Sequence, residues 1–476
     1  MNFSSPIFLF YFLPLFLLVY NLISRGKRNF TILLGSCFFL CWGSPPSALL
    51  LFLTSILDYC FGHLISSSQS QRKRRFWMII GIIENVGVLF YFKYWNFFIH
   101  EFTQALSSIG LPSTAVGDVL LPVGISFFTF HKISYLVDVY SNKVQPLDRF
   151  LDFAVYVTFF PKLIQGPIVP YRYFASQLLN HDHIFHDTFE GLFRFCIGLG
   201  KKVLVADVLG EAADNVFQLK FASMTCGYAW LGILCYTFQI YFDFAGYSDM
   251  AIGIGRMMGF RIPENFNQPY RAESFPEFWK RWHITLSNWF KEYLYIPLGG
   301  SRVSPARNYL NLWIVFFVSG LWHGANWTFI IWGMYHGFFI VAERRFEISR
   351  KLGKSLSVSL TFFLIVIGWV FFRSENLGFS IQYLQKLFLL SPADSAAPIV
   401  LLPELITNRG MVILSIAFFI SFIPKAWAVA CSETLFPATG LNQLSWLKIT
   451  LWTTTLILAL AALINSHFKP FIYFRF

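Results

Sequence analysis

Residues 308–342 read NYLNLWIVFFVSGLWHGANWTFIIWGMYHGFFIVA, 35 positions without an Asp, Glu, Lys or Arg. A bilayer core of about 30 Å needs about 20 predominantly apolar residues per helical crossing. The stretch is therefore a membrane hairpin, with its turn near Gly324, Ala325 and Asn326. Arg302 and Arg307 precede it and Arg344 and Arg345 follow it, so both ends should face the cytoplasm.

The rest of the chain repeats this pattern. Residues 1–24 and 30–57 are also free of charged side chains, and Phe alone occurs 58 times among 476 residues. Charged residues make up 13% of the chain, about half the usual 25% of a soluble domain. A soluble fold could not cover so much apolar surface, so the sequence predicts a polytopic membrane protein. It should be all-α, because in lipid only helices or closed barrels satisfy the backbone.

Crossings are expected at 6–23, 30–43, 48–65 and 77–94, the last carrying Glu84. A mixed Gly/Pro/Ser stretch at 100–118 reads as an outer loop. Segments at 121–139 and 151–168 follow, the latter broken by Pro161 and Gly166-Pro167, then 189–204 and 228–244. Residues 265–300 mix aromatics with Arg, Lys and Glu and read as interfacial amphipathic helices. After the hairpin come 355–372, 411–422 and 449–463. The expectation is about a dozen membrane segments in a single integral-membrane domain over residues 1–476.

The formal charge of +12 does not point to nucleic acid. The basic residues sit in clusters between apolar runs: Arg25, Lys27 and Arg28, then Arg72 to Arg75, Lys201-Lys202, Arg344-Arg345 and Arg350-Lys351. That is the pattern of cytoplasmic loops facing anionic lipid. Basic residues follow the first apolar run, so the N-terminus is expected outside and the run is expected to be a retained span. The 7 Cys include no CxxC pair, so neither a disulfide framework nor a zinc site is expected.

Among the 10 His, His181, His183 and His186 read as a polar interfacial loop, with metal ligation as the alternative. Gly253, Gly255 and Gly259 lack the spacing of a dinucleotide loop and read as small residues between membrane helices. His323 differs from these. It sits mid-hairpin, 16 residues after Arg307, a climb of about 24 Å, and an ionisable group at that depth is a functional candidate. His283, in Trp279-Lys280-Arg281-Trp282-His283, is placed near the cytoplasmic face by its neighbours. His336 suits packing better than catalysis. Asp58, Glu84, Asp243 and Asp249 read as carboxylates paired inside the bundle, with a proton path as the alternative.

The run Gln239-Ile240-Tyr241-Phe242-Asp243-Phe244-Ala245-Gly246-Tyr247-Ser248-Asp249 resembles the membrane-bound O-acyltransferase family. So do residues 278–287, Tyr293-Leu294-Tyr295-Ile296-Pro297-Leu298-Gly299-Gly300, and 319–326. The likeness extends over essentially the whole chain and is strongest to the bacterial branch that O-acetylates alginate and peptidoglycan. It implies a bundle around a central tunnel, with His323 and His283 at the family's two catalytic positions. It also implies His323 as general base and His283 orienting or polarising a thioester, with His336, Asp243, Trp282 and Asn326 as supporting tunnel residues. Acetyl-CoA is the implied donor, with no resident cofactor and no metal. The implied partner is an SGNH-type transferase or esterase in the periplasm, and the implied location is the bacterial inner membrane with both termini periplasmic.

Residues 466–476 end in an aromatic tail, Phe471-Ile472-Tyr473-Phe474-Arg475-Phe476. It resembles the C-terminal motif of the small peptide of teichoic-acid D-alanylation systems, which implies an acyl relay on Tyr473. An interfacial aromatic anchor is the alternative. Two other functions compete: a transporter of lipid-linked sugar, and an acyltransferase with a lipid or protein acceptor. Transporters usually carry paired halves, and no internal repeat is evident here.

Overall fold

Helix follows helix because each apolar run is long, rich in Leu and Phe, and closed by Ser, Gly, Pro or Asn. The computed structural model describes residues 1–111, 117–179, 185–390, 398, 400–424, 446–465 and 471–472. Among these residues there is no strand. Among them, too, three helices are long and apolar enough to cross a membrane: Pro45–Ser67, Gln71–Ser108 and Lys354–Arg373. The protein is a helical membrane protein.

Helices occupy the segments expected from sequence, with shifted ends. The stretch at 100–118 reads as loop, but the Trp95–Ser108 helix runs through its first half. Glu101, Gln104, Ala105 and Leu106 are good helix formers, and their polarity disguises that. The break at Pro161 is present, separating Phe150–Thr158 from the short Phe160–Leu163 turn. The expected 228–244 span is part of a 32-residue helix, Cys226–Met257.

The chain divides into two compact units. The first comprises Met1–Thr188 and Ile254–Pro263. One face of its Leu13–Leu22 helix buries Leu13, Phe16 and Tyr20, while Leu15, Leu18 and Leu22 stay exposed, a surface suited to lipid. Inside, Lys132 Nζ pairs with Asp58 Oδ2 at 2.8 Å, both side chains almost fully buried, and Asn85 donates to Asp58 at 2.7 Å. Asp58 is thus a paired carboxylate, as its sequence context favours.

The second unit comprises Phe189–Gly253 and Glu264–Phe476. Two of its helices approach at glycines. A Cβ on Gly198 would lie 2.5 Å from Gly246 O, and one on Gly246 would lie 2.7 Å from Gly198 O. Gly253 meets Gly191 O in the same way, at 2.5 Å. Gly253 therefore does serve helix contact, whereas Gly259, at φ 84°, lies past the end of the long helix. This approach brings Lys201 and Lys202 to the long helix, where Lys201 pairs with Asp249 and Lys202 with Asp243.

Candidate active site

The stretch expected to form a hairpin folds as two helices joined by a turn. Pro305–His323 rises to the turn and Trp327–Phe346 returns, with His323 the last residue of the first helix. Asn326 accepts the Thr328 N–H at 3.0 Å and its amide donates to Glu375 O at 2.9 Å. The family resemblance implies a tunnel residue at Asn326. Its side chain caps the returning helix, the usual work of Asn at that position.

His323 is buried against three rings, Trp322 and Trp332 at 4.9 Å and Phe372 at 5.3 Å. The His283 ring lies 6.1 Å from the same Trp322 and 4.7 Å from Phe244. Forty residues apart in sequence, the two imidazoles thus share one indole. His336 continues the series at 4.7 Å from Trp332, and its Nδ1 accepts the Trp279 indole N–H at 3.3 Å. That contact is the packing role expected of it. Trp282 is buried beside Trp369 at 5.0 Å and Phe278 at 5.5 Å, so it supports the wall of this cluster.

His283 occupies the left-handed region, φ 43° and ψ 54°, at the start of the Ile284–Phe290 helix. A side chain with a Cβ costs about 1–2 kcal/mol there. Asn265 holds it in place. Its Oδ1 lies 3.0 Å from His283 Nδ1 and also accepts from the Thr285 N–H and hydroxyl, at 3.3 and 2.9 Å. The Asn265 carbonyl accepts the Ile284 N–H at 2.9 Å. Burial pushes the His283 imidazole down to about 3, so the ring is neutral at ordinary pH. The sequence does not single out Asn265, Thr285, Trp332 or Phe372, because nothing in their spacing ties them to either histidine.

A cavity of about 400 Å³ opens beside this cluster. Its walls include Trp279, Leu286, Phe290, Val315 and Phe316, and exposed Lys280, Lys291 and Arg344 supply positive charge. Ser319 also lines it, one helical turn before His323. An apolar chamber with a cationic mouth suits a donor whose reactive end is small and whose carrier is anionic.

Asp243 is not an open tunnel group. Lys202 Nζ pairs with its Oδ1 at 2.7 Å, and its Oδ2 accepts the Ile472 N–H at 2.9 Å. The neighbouring Phe471 packs on Tyr247 at 5.0 Å and lies under Lys202 Nζ at 4.6 Å. Two residues of the aromatic tail are therefore buried inside this unit. Tyr473 and Arg475 lie outside the described residues, as do His181 and His183.

Fold and site are those of a helical membrane protein with a buried histidine cluster beside a cavity. The sequence profile described as "MBOAT, membrane-bound O-acyltransferase family" matches residues 38–351, which hold all three clustered histidines, and the chain belongs to that family. It is 38% identical to the probable alginate O-acetylase AlgI of Pseudomonas putida over 100% of both chains. With the protein of the same name from Pseudomonas aeruginosa it shares 44% identity, over 82% of this chain and 75% of the relative. The peptidoglycan O-acetyltransferase of Helicobacter pylori is 35% identical, over 100% of this chain and 97% of its own. The transporter reading is set aside by this membership.

Proposed function

We propose that the protein moves acetyl groups from cytoplasmic acetyl-CoA across the bacterial inner membrane for O-acetylation of an exported polysaccharide of the alginate or peptidoglycan type. The observation that carries this reading is the histidine pair on Trp322 beside a cation-rimmed cavity. The carrier's phosphates meet Lys280, Lys291 and Arg344, while the acetyl thioester reaches inward past Ser319. His323 takes the proton of the attacking hydroxyl, the C–O bond forms, the C–S bond breaks, and the thiolate leaves with that proton. His283 orients the donor.

About a dozen crossings surround a central tunnel, with both termini periplasmic and the cavity open to the cytoplasm. An SGNH-type periplasmic partner receives the acetyl group and places it on the polymer. The tail supplies the relay. Ile472 is anchored on Asp243, whose neighbour Phe244 covers His283, so Tyr473 follows directly from a residue held near the site. Its phenol, with an ordinary pKa of about 10, needs a base to attack a thioester.

The experiment gives acetyl-CoA to the purified protein and follows CoA release, with peptide mass analysis of the tail. The expected result is CoA release and an acetyl group on Tyr473, and Tyr473→Phe should stop polymer acetylation while leaving assembly intact. No CoA release with partner and polymer present would overturn the donor reading. Normal acetylation by Tyr473→Phe would reduce the tail to an anchor.

A further inference from the structure

His283 Nε2 is fully buried and has no hydrogen-bond partner among the described residues. The other ring nitrogen determines what it can do. A backbone N–H only donates, so the amide edge of Asn265 that faces Thr285 N is the oxygen. The opposite edge agrees, since Asn265 Nδ2 donates to Ser248 Oγ at 3.1 Å. His283 Nδ1, 3.0 Å from that same oxygen, must therefore carry the hydrogen and donate it. In the neutral ring Nε2 is then a lone pair.

We propose that Asn265 is a positioning residue that fixes His283 in its Nδ1–H tautomer, and that the bare Nε2 accepts a hydrogen bond from an amide N–H of the donor's carrier arm. The inference rests on the reading that His283 and His323 are the catalytic pair. A neutral ring with no proton on Nε2 cannot polarise a thioester carbonyl, which leaves orientation as the work of His283. The hydroxyl proton belongs to His323. The donor offers a matching N–H: a CoA thioester carries an amide nitrogen two carbons from its sulfur. Ile284, Leu286 and Ser287, which follow His283 within four positions, line the cavity. The left-handed backbone at His283 gives this orientation its cost, because the ring reaches Asn265 from a conformation that Asn265 itself helps to hold.

Two small donors separate orientation from chemistry. S-acetyl-N-acetylcysteamine keeps the amide N–H, and S-ethyl thioacetate lacks it. Thiol release by the wild-type protein should favour the amide-bearing donor by about tenfold in kcat/KM, the weight of one hydrogen bond. Asn265→Ala should erase most of that preference while acting little on S-ethyl thioacetate. Asn265→Asp still accepts from Nδ1 and from Thr285 N, so it should restore the fold. Its charge favours the imidazolium, and the acid limb of the pH profile should move up by about one unit or more. Among the described residues the ring and hydrogen-bond partners of the His283 side chain are Phe244, Trp322 and Asn265, none of them charged, so the new carboxylate dominates. A merely structural Asn265 would not move that limb.

Where Asn265→Ala fails to fold, the Asp variant carries the test alone. Equal slowing of both donors by Asn265→Ala, or an unchanged pH profile in Asn265→Asp, overturns the proposal. His323→Ala distinguishes the parent reading. If it releases thiol normally, the catalytic pair is wrong; if it is dead while the Asn265 variants behave as wild type, only the tautomer assignment falls.

Discussion

His283 and His323 meet the Trp322 ring at 6.1 and 4.9 Å, so the two imidazoles of the site pack on one indole. The rings come from different elements, one from the start of a short helix and one from the end of a hairpin helix. Removing either imidazole leaves the other on the indole, which makes the pair separable by mutation. His323→Ala should lower CoA release by about 10²–10⁴-fold, the usual weight of a general base, with insertion and melting preserved. His283→Ala should be milder. Near-normal turnover in His323→Ala would remove it from the mechanism.

The cationic mouth of the cavity gives a binding prediction. Lys280 and Lys291 are exposed and line it, so a double change to Gln should raise KM for acetyl-CoA several-fold and leave kcat near wild type. Contacts of this kind are screened by salt. The wild-type KM should therefore rise with ionic strength and the variant's should respond less. A fall in kcat at constant KM would place these lysines in the chemistry.

Lys202 is buried between Asp243 and Asp207, at 2.7 Å from each. Lys202→Met leaves the Asp243 carboxylate buried without its cation, a loss of about 3–5 kcal/mol. Thermal melting in detergent should record the drop, and Lys202→Met with Asp243→Asn should recover part of it. Because Asp243 also accepts the Ile472 N–H, protease exposure of the tail should increase in Lys202→Met. An unaltered melting temperature would mean the pair contributes nothing.

Acid stability follows from the buried neutral His283. Its value falls from an ordinary 6.5 to about 3 on folding. Between those values the unfolded chain binds a proton that the folded chain does not, so stability is full above about 6.5 and declines as pH falls toward 3. Melting temperature against pH should show this decline, and His283→Gln should flatten it. Parallel curves for the two proteins would assign the acid loss elsewhere.

The apolar runs and His323 are legible for one reason: both are defined by composition along the chain, and a lone ionisable group in 35 uncharged residues stands out locally. Asn265 is not legible. It reaches His283 across 18 residues and a reversal that no periodicity encodes. Trp332 and Phe372 are hidden for the opposite reason, since 15 Trp and 58 Phe leave no single ring distinctive. The helix cap made by Asn326 is hidden in the sequence by its place in a motif-like run, and the cap bond makes it plain.

The left-handed backbone at His283 sets folding and chemistry against each other at one codon. Glycine would relax φ 43° at no steric cost, and asparagine would tolerate it better than most side chains. A laboratory selection that rewards only yield of inserted protein should therefore enrich His283→Gly or His283→Asn and return abundant but slower enzyme. A selection that rewards acetylated polymer should hold histidine there despite the lower yield.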